Sequence, residues 1–344
     1  MDSSPPPPSL EAIRSARSRL GERVHTTPVW LWRDDRLTER LGHDARVHLK
    51  LEVWQRGGSF KIRAALLRAL SLDRAALDRG LTAVSAGNHA IAVSHAARIV
   101  GSTAKVVMPR TADPFRVERC RELGAEVVIV EDVHQAFTTV RRIETDEGRT
   151  FLHPFEGETV ALGTAGVGLE LIEQSPDLDA VIVPIGSGGL CAGVASAVKQ
   201  LRPGCKVYGV EPEGADTMSR SLRAGKPVGI ERVRTIADSL GAPHSEPYSF
   251  ALCRRFLDDL VLVSDDELRG AMKLLFEEIH LAVEPAGAAA TAAALGPLRD
   301  RLRGTRVGLI LCGTNISASR FFDSLRARGP EEPPARAEVK APKT

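Results

Sequence analysis

Four short stretches of this sequence hold residues whose types and spacing could do chemistry. In Arg56-Gly57-Gly58-Ser59-Phe60-Lys61-Ile62-Arg63, a lysine follows two glycines, a serine and an aromatic residue. Ser59 predicts an N-cap, which places Lys61 in the first turn of a helix. A lysine that is partly desolvated and near other cations loses its proton more readily and becomes a nucleophile, and Arg56 and Arg63 are near in sequence. The alternative is a solvated lysine on an amphipathic helix. In Gly186-Ser187-Gly188-Gly189-Leu190, a β-branched run ends in a glycine loop and a helix follows. Free N–H groups at a helix start attract anions and glycines let the backbone come close, so the loop suits a phosphate. A tight strand-to-helix turn is the other reading. The loop lacks the Walker lysine, which excludes a P-loop, and it lacks GxGxxG, which weakens a dinucleotide site. Ser85-Ala86-Gly87-Asn88-His89 is a second strand-to-helix junction. Its helix start would favour a carboxylate, with Asn88 and His89 as side-chain donors; the alternative is an asparagine cap and a surface histidine. In Leu311-Cys312-Gly313-Thr314-Asn315 a cysteine closes a strand, as a small polar group or simply as a small hydrophobe.

Bringing these stretches together requires a scaffold that ends its strands on one side. Short β-branched runs occur at 46–51, 104–108, 126–130, 180–184, 206–210 and 306–311. Segments with helical spacing follow, among them 88–100, 114–123, 189–201 and 264–278. This alternation implies an α/β chain with parallel-rich twisted sheets covered by helices. In such sheets ligands bind beyond the C-terminal ends of the strands, where all four stretches fall. Ser264 and Glu267 have capping-box spacing, and Ser9 predicts the N-cap of the first helix.

A chain of 344 residues suffices for two domains. The net charge of +2 argues against a nucleic-acid or membrane partner. The arginines of 113–123 alternate with acidic residues and read as solvated surface. Five scattered cysteines without a CxxC pair argue against a disulfide framework or a zinc site. With no signal pattern and no long apolar run, a cytoplasmic location is expected. Residues 1–8 and 329–344 read as disordered tails.

Taken together, a lysine for a Schiff base, a glycine loop for a phosphate and a small polar strand end describe a site for pyridoxal 5'-phosphate. The chain resembles the fold-type II pyridoxal-phosphate enzymes, specifically the threonine/serine dehydratase and serine racemase family. The resemblance rests on Lys50-Leu51-Glu52, Gly58-Ser59-Phe60-Lys61-Ile62-Arg63, Ser85-Ala86-Gly87-Asn88-His89 and His153-Pro154-Phe155. It continues through Gly186-Ser187-Gly188-Gly189-Leu190, Val210-Glu211-Pro212, Ile236-Ala237-Asp238, Val283-Glu284-Pro285-Ala286-Gly287 and Cys312-Gly313-Thr314-Asn315. These occur in family order along nearly the whole chain. The resemblance implies a tryptophan synthase beta-like architecture. Its large cofactor-binding domain would span 9–80 plus 154–328, and a small mobile domain 81–153.

By resemblance, Lys61 would be the Schiff-base lysine and general base. Phe60 would lie against the pyridine ring and Asn88 would meet its 3'-oxygen. The backbone of Gly186, Ser187, Gly188, Gly189 and Leu190 would hold the phosphate, Cys312 would face the ring nitrogen, and Glu284 would join the cofactor site. Ser85, Ala86, Gly87, Asn88, His89, Phe155 and Ser239 would contact the substrate. The implied reaction is β-elimination of water from a β-hydroxy amino acid, L-threonine or L-serine, giving a 2-oxo acid and ammonia. Hydroxyaspartate or phenylserine, and serine racemisation, are the alternatives on this scaffold; a non-catalytic amino-acid binder is the alternative of a different class. Ala86 stands where the racemases carry a serine acid/base, and Phe155 also resembles the dehydratases. Glu211 and the Ala215 carbonyl match a family site for a divalent or monovalent cation, although Thr217 stands where a carboxylate is frequent. Ala64 replaces a glycine, Ser187 a loop glycine, and Ser239 the glycine after Asp238. A homodimer is expected, and feedback inhibition through a C-terminal regulatory domain is not.

Overall fold

The computed structural model describes residues 5–326, apart from the side chains of residues 36, 133 and 134. The expected tail 329–344, and residues 1–4 of the expected N-terminal tail, lie outside the described residues. Residues 5–8 do not form a free tail. Pro8 is buried, its carbonyl accepts from Gln200 Nε2 at 2.9 Å, and the Pro6 carbonyl accepts from the Tyr248 hydroxyl at 3.4 Å. Proline bars a helix there but leaves carbonyls and apolar rings to pack.

Among the described residues ten strands form two sheets. They are β1 (Val29–Trp32), β2 (Arg46–Leu51), β3 (Leu81–Val84), β4 (Ala104–Pro109), β5 (Glu126–Val130), β6 (Thr150–Phe151), β7 (Ala180–Pro184), β8 (Lys206–Pro212), β9 (Asp259–Val263) and β10 (Arg306–Leu311). The large sheet runs β1-β2-β10-β7-β8-β9 and the small one β5-β4-β3-β6. Every pairing is parallel except β1 with β2. The central strands β3 and β7 are buried along their whole length, which is why β7 reads as a continuous apolar run rather than an alternating one. The expected helix starts are present. Ser9 Oγ accepts from Ala12 N at 3.1 Å, and Ser264 and Glu267 complete a reciprocal capping box. No described helix is long and apolar enough to cross a membrane.

The helix Lys61–Leu70 departs from its expected start. Ser59 does not cap it: its backbone is extended and forms an isolated bridge with Gly313, and the helix begins without a side-chain cap. Ala64 is accommodated by a glycine on the facing helix Glu158–Gln174. A Cβ on Gly163 would lie 2.5 Å from Ala64 Cα, so the two backbones are nearly in contact there. Gly163→Ala is therefore expected to cost about 1–3 kcal/mol by overpacking. It should melt at a lower temperature than the wild type, and an unchanged Tm would show that the helices have room to shift.

Candidate active site

A cleft of about 210 Å³ opens between the C-terminal ends of β3 in the small sheet and β7 and β10 in the large one. Each end carries one of the stretches singled out above. The Lys61 loop is stitched to the Cys312 loop by backbone. Phe60 N donates to the Cys312 carbonyl at 3.2 Å and Thr314 N to the Gly58 carbonyl at 2.9 Å. Asn315 Nδ2 adds a bond to the Gly57 carbonyl at 2.6 Å. Lysine and thiol thus enter one cleft from segments far apart in sequence.

Lys61 Nζ donates to the Pro154 carbonyl at 2.7 Å and lies 5.2 Å from the Phe60 ring centroid. Burial pushes the ammonium down to about 8, against Cys312 and Glu284, which favour the charged form. The neighbouring arginines do not cause this shift. Arg63 is buried and neutralised elsewhere. Cys312 Sγ donates to the Ala286 carbonyl at 3.3 Å, and burial followed by the Glu284 charge pushes the thiol well above its ordinary value. It is a neutral thiol.

The glycine loop follows β7 and leads into the helix Gly189–Leu201. Gly188 has φ 104°, a conformation that favours glycine, and the first turn of the helix leaves N–H groups for an anion. Ser187 lines the cleft beside them. A half-buried amine that donates to a carbonyl rather than a carboxylate, a helix-start anion cradle and a neutral thiol together fit the aldehyde, phosphate and ring of pyridoxal phosphate.

The stretch 85–89 lines the cleft too, but its side chains are already engaged. Asn88 Nδ2 donates to Glu284 Oε1 at 2.5 Å and Ser239 Oγ at 3.2 Å, and Asn88 Oδ1 accepts from Asn315 Nδ2 at 2.7 Å. Gly87, not Asn88, occupies the cap position of the helix Asn88–Val100. Ser85 Oγ accepts from Gly87 N at 3.0 Å. His89 is buried rather than on the surface, and its Nε2 meets the Leu152 carbonyl at 2.8 Å. Burial, followed by the Lys61 charge, pushes it down to about 3, so the ring is neutral and its one N–H goes to Leu152. The expected side-chain donation from His89 to a substrate is therefore corrected: only its backbone N–H remains for that role.

Ser239, Phe155 and Glu284 face the same cleft. Glu211 and Ala215 do not. Glu211 Oε1 and Oε2 accept from the amides of Met218 and Ser219 at 2.7 and 2.8 Å, at the start of the helix Thr217–Ala224. Thr217 Oγ1 donates to the Ala242 carbonyl at 2.7 Å. Among the described residues no group of three or more His, Cys, Asp or Glu could hold a metal. Here Glu211 accepts from the first amides of that helix, and it stands with Ala215 outside the cleft.

The sequence did not single out several cleft residues, among them Pro109, Arg116, Ala136, Phe137 and His244. Arg116 is 2% exposed, so the solvated reading of 113–123 fails at this position and at Asp113. The i, i+4 pairing of Arg116 with buried Cys120 was the available signal.

Behind Lys61 lies a buried ionic cluster. Arg63 donates to Glu52 and Glu170 at 2.8 Å, and Lys50 Nζ to Glu170 at 2.8 Å and to the Thr27 carbonyl at 2.6 Å. Burial alone would raise the Glu170 pKa, but Arg63 and Lys50 outweigh it and hold the carboxyl down at about 2.

Comparison with known proteins agrees with this geometry. A family model described as pyridoxal-phosphate dependent enzyme matches residues 22–313. The chain belongs to that family. It is 54% identical over 314 residues to a phenylserine dehydratase of Ralstonia pickettii, covering 91% of this chain and 95% of that protein. It is 36% identical to an L-threonine ammonia-lyase of Thermotoga maritima, covering 90% and 76%. Maize serine racemase superposes with a TM-score of 0.86 at 33% identity, covering 92% of this chain and 96% of that one.

Glu170 has a folded pKa near 2 against an ordinary 4.5, so its stabilisation is present above pH 4.5 and is lost as pH falls towards 2. Glu170→Gln is expected to cost about 3–5 kcal/mol at neutral pH, because it leaves buried cations uncompensated. In urea unfolding the gap to wild type should close on acidification. A gap that does not change with pH would rule out the ionic cause.

Proposed function

We propose that the protein is a pyridoxal-phosphate-dependent dehydratase that eliminates water from a β-hydroxy α-amino acid bearing a bulky apolar or aryl β-substituent, of the phenylserine kind. The observation that carries the reading is the apolar and aromatic share of the cleft lining. Val84, Pro109, Ala136, Phe137 and Phe155 belong to it, with His244 edge-on to Phe155 at 5.9 Å between ring centroids. Aromatic rings favour offset or edge-on partners of their own kind. A hydroxyaspartate side chain would need a second cation. Among the described residues lining the cleft the cations are Lys61 and Arg116, and Arg116 is already paired with Asp238 and Glu284. The 54% identity to a phenylserine dehydratase supports the same choice.

Lys61 would hold the cofactor aldehyde, Phe60 would lie against the ring, residues 186–190 would bind the phosphate, and Cys312 would present a neutral thiol to the ring nitrogen. Pyridoxal phosphate bound there supplies the electron sink that acidifies the substrate Cα–H. The backbone N–H groups at the start of the helix Asn88–Val100 and the Ser85 hydroxyl would orient the substrate carboxylate. Once the substrate amine has displaced it from the aldehyde, the Lys61 amine, its pKa lowered to about 8, would accept the Cα proton and pass it to the β-hydroxyl as the Cβ–O bond breaks, so that water leaves. Hydrolysis of the C–N bond then yields the 2-oxo acid and ammonia with no net oxidation. Ala86 offers no proton donor on the face opposite Lys61, so retention of chirality in recovered substrate is expected.

A panel of threo-phenylserine, threonine, serine and threo-hydroxyaspartate, assayed for ammonia and oxo acid, tests the substrate class. Phenylserine should lead in kcat/KM over serine by about 10–200-fold. A preference for serine or hydroxyaspartate would overturn the aryl reading while leaving the lyase intact. Lys61→Ala should lose both turnover and the yellow absorbance of the lysine-bound cofactor; turnover with that band retained would sink the mechanism.

A further inference from the structure

Arg116 stands on the helix Pro114–Glu122, which packs on the small sheet, yet its guanidinium reaches the large-sheet side. Nη1 and Nη2 donate to Asp238 at 2.7 and 3.2 Å, Nη2 also to Glu284 Oε2 at 2.9 Å, and Nε to the Asn315 carbonyl at 2.6 Å. The groups it holds are those that hold Asn88: Glu284 accepts from Asn88 Nδ2, and Asn315 Nδ2 donates to Asn88 Oδ1. The cap of the same helix crosses as well, since Asp113 Oδ2 accepts from Ser317 N at 3.1 Å and Ser317 Oγ at 3.0 Å. A Cβ on Gly87 would lie 2.7 Å from Arg116 Nη1, so the guanidinium also supports the 85–89 stretch from beneath.

We propose that Arg116 is a positioning residue that latches the small-sheet unit onto the large one and, through Glu284 and Asn315, sets where Asn88 stands in the reactive cleft. Only a planar fork of donors can meet Asp238, Glu284 and a carbonyl at once, and lysine offers a point charge instead. Glu284 is fully buried. Arg116 from the small-sheet side and Lys61 from its own helix favour its ionised form, while Asp238 beside it and the Cys312 thiol at the end of β10 do not. Burial raises its pKa and Arg116 opposes that rise. Without Arg116, Glu284 takes up a proton at higher pH, and the bond from Asn88 Nδ2 then goes to a neutral carboxyl instead of a fixed anion, which weakens the hold on Asn88. Asp238→Asn removes a like charge instead, so it acts on Glu284 in the opposite direction.

The kinetic part of this inference rests on the lyase reading. Holoenzyme of the wild type, Arg116→Gln, Arg116→Lys and Asp238→Asn is compared by pH–rate profile, by pH titration of the bound cofactor's absorbance and by limited proteolysis. Arg116→Gln is expected to lower kcat about 100-fold, the scale of a displacement of about 1 Å at a reacting group, with cofactor still bound. The acid limb of its kcat/KM profile should move to higher pH, and proteolysis within 81–153 should quicken. Arg116→Lys should recover part of the loss, and Asp238→Asn should move the acid limb to lower pH. An Arg116→Gln enzyme whose kcat and acid limb match the wild type overturns the proposal. If that variant does not fold, Asp238→Asn decides: a downward shift supports the latch, and an unmoved limb overturns it. Wild-type enzyme that releases no ammonia from any β-hydroxy amino acid would refute the lyase reading. The absorbance titration and proteolysis then still test the latch.

Discussion

The site depends on an amine placed where its charge is unwelcome. Lys61 stands at the edge of a cleft whose walls withdraw water from it, and its direct hydrogen-bond partner is the carbonyl of Pro154 rather than a carboxylate. Desolvation therefore sets its protonation. A salt bridge at the same place would keep the ammonium charged and useless as a nucleophile or base. The nearby positive charge of Arg63 is kept out of the balance because Glu52 and Glu170 absorb it behind the helix. Proximity in sequence to two arginines suggested the right direction of shift for the wrong cause.

The architecture serves that placement. Two parallel sheets point their strand ends at one cleft, and helix starts follow two of those ends. Close backbone approach keeps the parts rigid: Gly163 lets the lysine helix lie against Glu158–Gln174, and an alanine-rich helix, Pro285–Leu295, packs fully buried against β10 and β7. Hydrophobic on all sides, that helix could only be interior. It brings Glu284, at its cap, into the cleft from the protein core.

Legibility in the sequence followed the length and β-branched content of each run. The strands β2, β4, β5, β7, β8 and β10 were readable as β-branched runs within a residue or two of their ends. Four were not read as runs: β6 has two residues, β1 and β3 have four each, with Thr82 interrupting β3, and β9 is an edge strand without the valine and isoleucine density that made the edge strand β5 legible. The helix starts at Ser9 and Ser264 were legible because capping is local chemistry. The start at Lys61 was misread because the extended backbone of Ser59 is set by its pairing with Gly313, a long-range contact.

The sequence by itself determined the alternation that makes an α/β fold, the glycine loop, the lysine and the thiol, because each is a local pattern of residue type and spacing. Only the tertiary structure decided how the side chains are used. Arg116 looks like one more surface arginine until Asp238, Glu284 and Asn315 converge on it. His89 looks like a donor to substrate until burial removes its charge and the Leu152 carbonyl accepts its one N–H. Glu211 gives no sign in the sequence that two helix amides bind it. In each case the role depends on which polar groups share a desolvated space, and residues distant in the chain meet there only after folding.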